Sequence, residues 1–272
     1  MIKAILKYYS LLLFLLFSTG LLYLVKVAES QTKFKKKFKE IPKGQNESFI
    51  LTNSVSTYFF GETGQRNSSD FQGLNVSTIE YLDDYIIEVN GRVLNRRNAE
   101  VTLYSDKIVR TYTDYPLTEE VTLMDSLPVL VIKLVSGKKL PITFLPVISG
   151  ITASRRDVAF WAGEDKFLYI RNRSLRVSQQ VTGDEYWSGI FVFPEAEYVK
   201  VNPDIKKFYV GHSSGQGFLP GKLTSFIDNP VYIFVIIGEG KKDIIEKRKT
   251  VLNKLKLYNR ETNKKIDGVR KT

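Results

Sequence analysis

The chain has 272 residues, 43% of them apolar and 12% aromatic, enough to build a folded core rather than a disordered polymer. It has no cysteine, which excludes a disulfide framework, a thiolate zinc site, a thiol nucleophile and a lipidated cysteine. The formal charge of +11 is carried by two flanks: residues 44–240 hold nineteen basic against twenty-three acidic side chains, so no nucleic-acid partner is expected for the folded body.

In chain order, residues 1–25 set Lys3 and Lys7 before an apolar run from Tyr8 to Val25. This run is short for a spanning helix and long for a signal-peptide core, so the segment reads as a signal anchor or signal peptide. Membrane contact through residues 8–25 is expected, with the body outside the cytoplasm; the lysines at 33–39 argue for the opposite orientation under the positive-inside rule. Residues 26–47 read as a basic linker, solvated or against anionic lipid heads.

Residues 48–240 have one texture: runs rich in Val, Ile, Thr, Tyr and Phe, separated by Gly, Asn, Asp and Ser clusters. Two short runs open it, Ser48 to Leu51 and Phe71 to Ile79, read as a strand pair. A polar connection carrying Tyr58, Phe59, Phe60, Gly61 and Gly64 joins them. Asp84 to Val89 followed by Asn90-Gly91 predicts a strand entering a type I′ hairpin. Strands are then expected at 101–104, 108–112, 118–124, 129–135 and 142–148, the last two joined by a turn at Ser136-Gly137-Lys138. Further ones are expected at 157–161, 167–171, 175–181, 187–193, 207–210, 222–227 and 231–237. So many short strands with no helix between them predict an all-β fold, a large two-sheet antiparallel sandwich. In residues 241–272, Ile244, Ile245, Val251, Leu252 and Leu255 recur at helical spacing, predicting an amphipathic helix over 243–258 and then a frayed basic tail.

The opening block resembles the start of the N-terminal β-sandwich domain of bacterial and archaeal glycogen debranching enzymes, which belong with glucoamylase-like glycoside hydrolases. Leu51, Thr52, Asn53, Tyr58, Gly61, Gly73, Leu74 and Val76 carry the likeness. Ser54 to Thr57 replace that family's Gly-x-Gly-Gly, and residues around Ser68 to Gln72 replace its Arg-Arg-Tyr-His. The likeness runs over about 48–258, and the helical (α/α)6 barrel that carries the catalytic carboxylates in relatives is absent from the sequence. The resemblance implies a non-catalytic accessory domain that binds or positions an α-glucan or a partner catalytic barrel. The alternative is a cell-envelope adhesion module that meets a protein partner through the 243–258 helix.

The contact residues expected for sugar or partner are Asn53, Tyr58, Phe60, Phe71, Gln72, Trp161 and Trp187. Each ring is equally suited to a core, where it buries roughly 150–250 Å². Glycoside hydrolysis needs two carboxyl groups about 5–10 Å apart, one of them with a raised pKa. Asp83 with Asp84, Asp184 with Glu185 and Glu195 with Glu197 are the paper candidates, each more simply a turn or strand-end acid. His212, the single histidine, lies in a Gly-rich loop beside Ser213 and Ser214 without the strand-to-helix setting of a phosphate cradle. No catalytic residue, metal site or cofactor is assigned.

Overall fold

The computed structural model describes residues 37–69, 72–77, 79–148, 158–172, 186–200, 219–228 and 230–269. In chain order its strands are β1 (Lys37–Ile41), β2 (Ser48–Thr52), β3 (Thr57–Glu62), β4 (Gly73–Val76), β5 (Ile79–Leu82), β6 (Asp84–Val89), β7 (Arg92–Val93), β8 (Ala99–Tyr104) and β9 (Lys107–Tyr112). They continue as β10 (Leu117–Leu123), β11 (Val129–Ser136), β12 (Leu140–Val147), β13 (Val158–Ala162), β14 (Phe167–Asn172), β15 (Tyr186–Phe193), β16 (Glu197–Val199), β17 (Lys222–Ile227) and β18 (Val231–Gly238). A 3-10 turn, Arg96–Asn98, separates β7 from β8, and helix α1 (Lys241–Val269) closes the order.

Every pairing among the described residues is antiparallel, and the strands divide among three sheets rather than two. Nine strands form the order β1-β8-β9-β10-β11-β18-β15-β14-β13, five form β16-β17-β12-β6-β7, and four form the meander β2-β3-β4-β5. The turn after β11 is not a hairpin: it carries the chain across the core, from β11 in the nine-stranded sheet to β12 in the five-stranded one. The Asn90-Gly91 hairpin forms as expected, with both residues at positive φ and Val89 paired with Arg92.

One core joins the three sheets. Phe49, Leu51, Phe59 and Leu74 from the four-stranded sheet and Ile87, Val89, Ile142 and Phe144 from the five-stranded sheet share it with Ile108, Val121, Ile132 and Ile233 of the nine-stranded sheet. The opposite face of the nine-stranded sheet is apolar only from β11 to β13, where Val129, Phe167, Phe191 and Phe234 pack against Ile244 and Val251 of α1. β18 is therefore buried along all eight residues, which explains its unbroken apolar run. Gly189 on β15 lets the helix approach, since a Cβ there would lie 2.6 Å from Ile244 Cγ2. The α1 side chains Arg248 and Lys241 cap the aromatic cluster, with the Arg248 guanidinium 4.9 Å from the Phe191 ring centre and the Lys241 ammonium 4.5 Å from that of Phe160.

Three features differ from the sequence reading. Lys37–Ile41, within the stretch read as a linker, is an edge strand on β8; its lysines keep that edge charged. Thr57–Glu62, read as connection, is a strand between β2 and β4, because Thr-Tyr-Phe-Phe fits a pleated surface better than a loop. The helix begins at Lys241 and continues to Val269 instead of fraying after 258, since neither Gly nor Pro interrupts it before Gly268. Ile244, Val251, Leu252 and Leu255 pack in the aromatic cluster on the nine-stranded sheet, so these residues of the face expected to dock a protein partner are already covered. The strands expected at 175–181 and 207–210, and the apolar run 8–25, lie outside the described residues. Among the described residues no helix is long and apolar enough to cross a membrane.

Candidate functional site

Paired residues across an antiparallel ladder point to the same side, so register assigns the faces of the four-stranded sheet. Phe49, Leu51, Phe59 and Leu74 point into the core. The outward face carries Ile50 opposite Phe60, Thr52 opposite Tyr58, Tyr58 opposite Asn75, and Asn75 opposite Glu80. Ile50 is 60% exposed, and Tyr58 and Phe60 are half-buried, so two rings spaced one pleat apart meet solvent beside exposed Thr52; Asn75 is buried, its Nδ2 donating to the Gly73 carbonyl at 3.0 Å. Burial, followed by the nearby Glu80 carboxylate, raises the Tyr58 hydroxyl above its ordinary pKa and keeps it a neutral donor. Gly73 holds the turn into β4 at φ +110°, and a Cβ there would lie 2.2 Å from the Leu82 carbonyl oxygen.

One end of this face is roofed by the loop after β3, organised around the buried Glu62 carboxylate. Glu62 accepts hydrogen bonds from the side chains of Asn46, Gln65, Ser68 and Gln72, the last at 3.0 Å. Gln72 Oε1 in turn accepts from the Ser69 backbone N–H at 2.9 Å. Burial alone would raise the Glu62 carboxyl, but these donors outweigh it and hold its pKa below the ordinary value.

Behind the same loop the core contains charge. Arg110 and Glu119 are direct register partners on β9 and β10, 3.1 Å apart and 1% and 0% exposed. Arg110 Nε donates to the Thr63 carbonyl at 3.0 Å and Nη2 to the Glu62 carbonyl at 2.9 Å, tying the loop to the nine-stranded sheet. The Tyr85 hydroxyl donates to Glu119 Oε1, and that of Tyr112 to Oε2 at 2.6 Å. Burial would raise Glu119, but Arg110, then Arg96 and the two phenols, lower it, so the carboxylate stays ionised. The two phenols shift upward, first by burial and then by that carboxylate. A second pair, Arg96 and Asp84, is bidentate at 2.8 and 3.1 Å; Arg96 also donates to the Gln65 and Tyr85 carbonyls and lies 4.7 Å from the Tyr85 ring centre. Beside these pairs is a cavity of about 230 Å³. Its lining includes exposed Val93, Asn95 and Arg97, half-buried Gln65 and Arg66, apolar Ile86, Ile87 and Leu94, and buried Tyr85, Tyr112 and Glu119.

The structure places Tyr58 and Phe60 on the four-stranded sheet with Asn53 and Gln72 in its flanking loops, and both tryptophans on the nine-stranded sheet. Asn53 is a tether: its Nδ2 donates to the Met124 and Leu127 carbonyls, both at 2.9 Å, and its Oδ1 accepts from the Val55 and Thr57 N–H groups. Gln72 is inside the Glu62 cage, and Phe71 lies outside the described residues. Trp161, on β13, stacks on Tyr198 at 5.2 Å on the shared-core face. Trp187, on β15, sits edge-on to Phe160 and Tyr169 on the helix face. Of the acid pairs, Asp84 is taken by Arg96; Asp184, Glu185 and His212 lie outside the described residues. Sequence reasoning missed Glu62, Arg96, Arg110 and Glu119. For the last two the signal was present: in Ile108-x-Arg110-x-Tyr112 and Leu117-x-Glu119-x-Val121 the charges occupy inward positions of a period-2 pattern.

No protein-family model and no curated protein matches the chain in sequence. Among solved structures it is similar to a bacterial glucoamylase complexed with acarbose, at 14% identity and a TM-score of 0.45, over 85% of this chain and 38% of that one. A protein described as a kojibiose phosphorylase from the human microbiome follows, at 12% identity and a TM-score of 0.36, over 80% and 29%. A family GH92 alpha-mannosidase from Bacteroides thetaiotaomicron matches at 9% identity and a TM-score of 0.39, over 78% and 32%. The chain thus spans about a third of the length of these solved structures.

Proposed function

We propose that this chain is a non-catalytic β-domain that binds an α-glucan on the outward face of its four-stranded sheet and works beside a separate catalytic barrel. The observation that carries the reading is the placement of Tyr58 and Phe60 one pleat apart on that face, with exposed Thr52 at the register position opposite Tyr58. The rings offer a flat apolar surface for a sugar ring, while the Tyr58 and Thr52 hydroxyls address its hydroxyls. The glucan class comes from the sequence likeness at Leu51, Thr52, Asn53, Tyr58, Gly61, Gly73, Leu74 and Val76. Anchoring at a membrane through residues 8–25, with the body outside the cytoplasm, completes the proposal.

Electrophoresis through gels containing glycogen tests it. The wild-type chain is expected to be retarded, and the Tyr58→Ala/Phe60→Ala variant to run as in a plain gel with an unchanged circular-dichroism spectrum. Wild-type mobility indifferent to glycogen overturns the reading.

A further inference from the structure

The net charge of the chain sits in its two flanks, and the first of them enters the fold at β1. β1 is an edge strand, hydrogen-bonded to β8 on one side only, and its register slips between Lys37 and Lys39. The residue left over in that bulge is Phe38, which is 82% exposed, more than any other large apolar side chain among the described residues. A bulge re-aims the side chain it frees, and here a ring is held in water three residues before buried Ile41. Cations flank it. Lys37 and Lys39 are its neighbours in the chain, Lys43 follows in the turn after β1, and Arg97 adjoins that turn, its carbonyl accepting from the Gly44 N–H at 2.9 Å. All four are exposed. Lys37 leans on Glu40, Lys39 on Glu47 at 2.6 Å and Lys43 on Asp114 at 3.9 Å, and each of these pairs is open to water. Such pairs contribute little, so the ammonium groups can exchange them for a more strongly anionic partner. The sequence adds Lys33, Lys35 and Lys36 directly before the strand, with no acid between Gln31 and Phe38.

An exposed ring inside a basic rim suits the surface of an anionic bilayer: the ring enters the boundary of the acyl layer, lysine stems lie along it, and the cationic heads meet lipid phosphates. The chain also reaches there. The eleven residues 26–36 between the apolar run 8–25 and β1 span roughly 40 Å at most, so a membrane holding that run keeps β1 near its surface. We propose that β1 and the turn after it dock on anionic lipid headgroups, with Phe38 entering the acyl boundary and Lys37, Lys39, Lys43 and Arg97 on the phosphates. The strand backbone stays at headgroup depth, where water still reaches its unpaired edge. The proximity rests on the anchoring proposed for residues 8–25; the contacts of β1 itself do not. Docking in this manner fixes which edge of the nine-stranded sheet faces the membrane.

Because the chain has no cysteine, a single spin label can be placed at will. Full-length Phe38→Cys is labelled and mixed with vesicles of phosphatidylcholine, with or without phosphatidylglycerol. Phe226→Cys, at a position 58% exposed on β17 of the five-stranded sheet, serves as reference. On the anionic vesicles the label at 38 should gain access to membrane-dissolved oxygen and lose access to an aqueous nickel relaxant, while the label at 226 stays aqueous. Adding Lys37→Gln/Lys39→Gln should lower the docked-to-free ratio at position 38 by about tenfold or more, since each lysine at an anionic surface contributes a factor of about five. Flotation of the same samples separates this docking from the anchor. Flotation with both vesicle types while the label at 38 stays aqueous overturns the docking and leaves the anchor. Docking on anionic vesicles without flotation on neutral ones upholds the docking and overturns the anchor, and flotation with neither overturns both. Equal protection of the label at 38 on both lipids, equal protection at 226, or indifference to the lysine substitutions also overturns the docking.

Discussion

The nine-stranded sheet is built in two manners. Around β18 it is apolar on both sides: Val231, Ile233 and Val235 face the shared core, while Tyr232, Phe234 and Ile236 face the aromatic cluster and α1. Around β9 and β10 only one side is buried, and that side contains the Arg110–Glu119 pair among Ile108, Tyr112, Leu117 and Val121. The first region gains stability from area, about 1.5–3 kcal/mol for each large side chain taken from water. The second gains little, because desolvating two charges consumes most of their attraction; what it gains is position. Arg110 reaches the carbonyls of Glu62 and Thr63, and so fixes the loop that roofs the outward face of the four-stranded sheet. The side that holds the candidate sites is the side with the charges.

This contrast can be broken most forcefully at Glu119. Glu119→Ala strands Arg110 and two phenols, and chemical denaturation should show a loss of about 3–5 kcal/mol. The double variant Arg110→Met/Glu119→Leu should recover most of that loss while glucan affinity stays reduced, because the loop is no longer held. Full recovery of both would remove the positioning role. In the apolar region Ile244→Ala opens a cavity under β15 and β18 and should cost about 2–4 kcal/mol in the same experiment, with glycogen retardation unaffected.

Acid sharpens the comparison further. Glu62 and Glu119 both have folded pKa values below the ordinary value of 4.5. The stability they contribute is fully present above about pH 4.5 and is lost as the pH falls through their lowered values. Urea midpoints followed downward from neutral pH should fall in that window, and Glu62→Gln should flatten part of the slope. The smallest stability effect is expected at Tyr58→Ala, within about 1 kcal/mol for a half-buried ring, although binding should be lost. A large destabilisation there would assign Tyr58 to the fold.

Much of this architecture was legible in the residues. Runs rich in Val, Ile, Thr, Tyr and Phe between turn residues located β10, β11, β17 and β18 to within a residue or two, and Asn90-Gly91 specified its turn. The partition into three sheets was not legible, because a short polar turn such as Ser136-Gly137-Lys138 serves a hairpin or a crossing equally well, and only the long-range partners of β11 and β12 decide. Edge strand β1 was hidden by its lysines, which signal linker and protected edge alike. Of the contact residues expected from type and context, Tyr58 and Phe60 lie on the outward face of the four-stranded sheet. Asn53 and Gln72 spend their polar groups on the Met124 and Leu127 carbonyls and on Glu62. Arg96 and its pairing with Asp84 escaped because the pair joins a 3-10 turn to a strand twelve residues earlier, with no periodic pattern to mark it.

Backbone amide and indole NMR during titration with maltoheptaose tests the central claim most directly, because the two tryptophans belong to the nine-stranded sheet and Tyr58 to the outward face of the four-stranded one. The account predicts shifts confined to residues near Ile50, Tyr58, Phe60 and Asn75, with both indole signals unmoved. Displaced indole signals from Trp161 or Trp187, or a spectrum indifferent to the sugar, would contradict it.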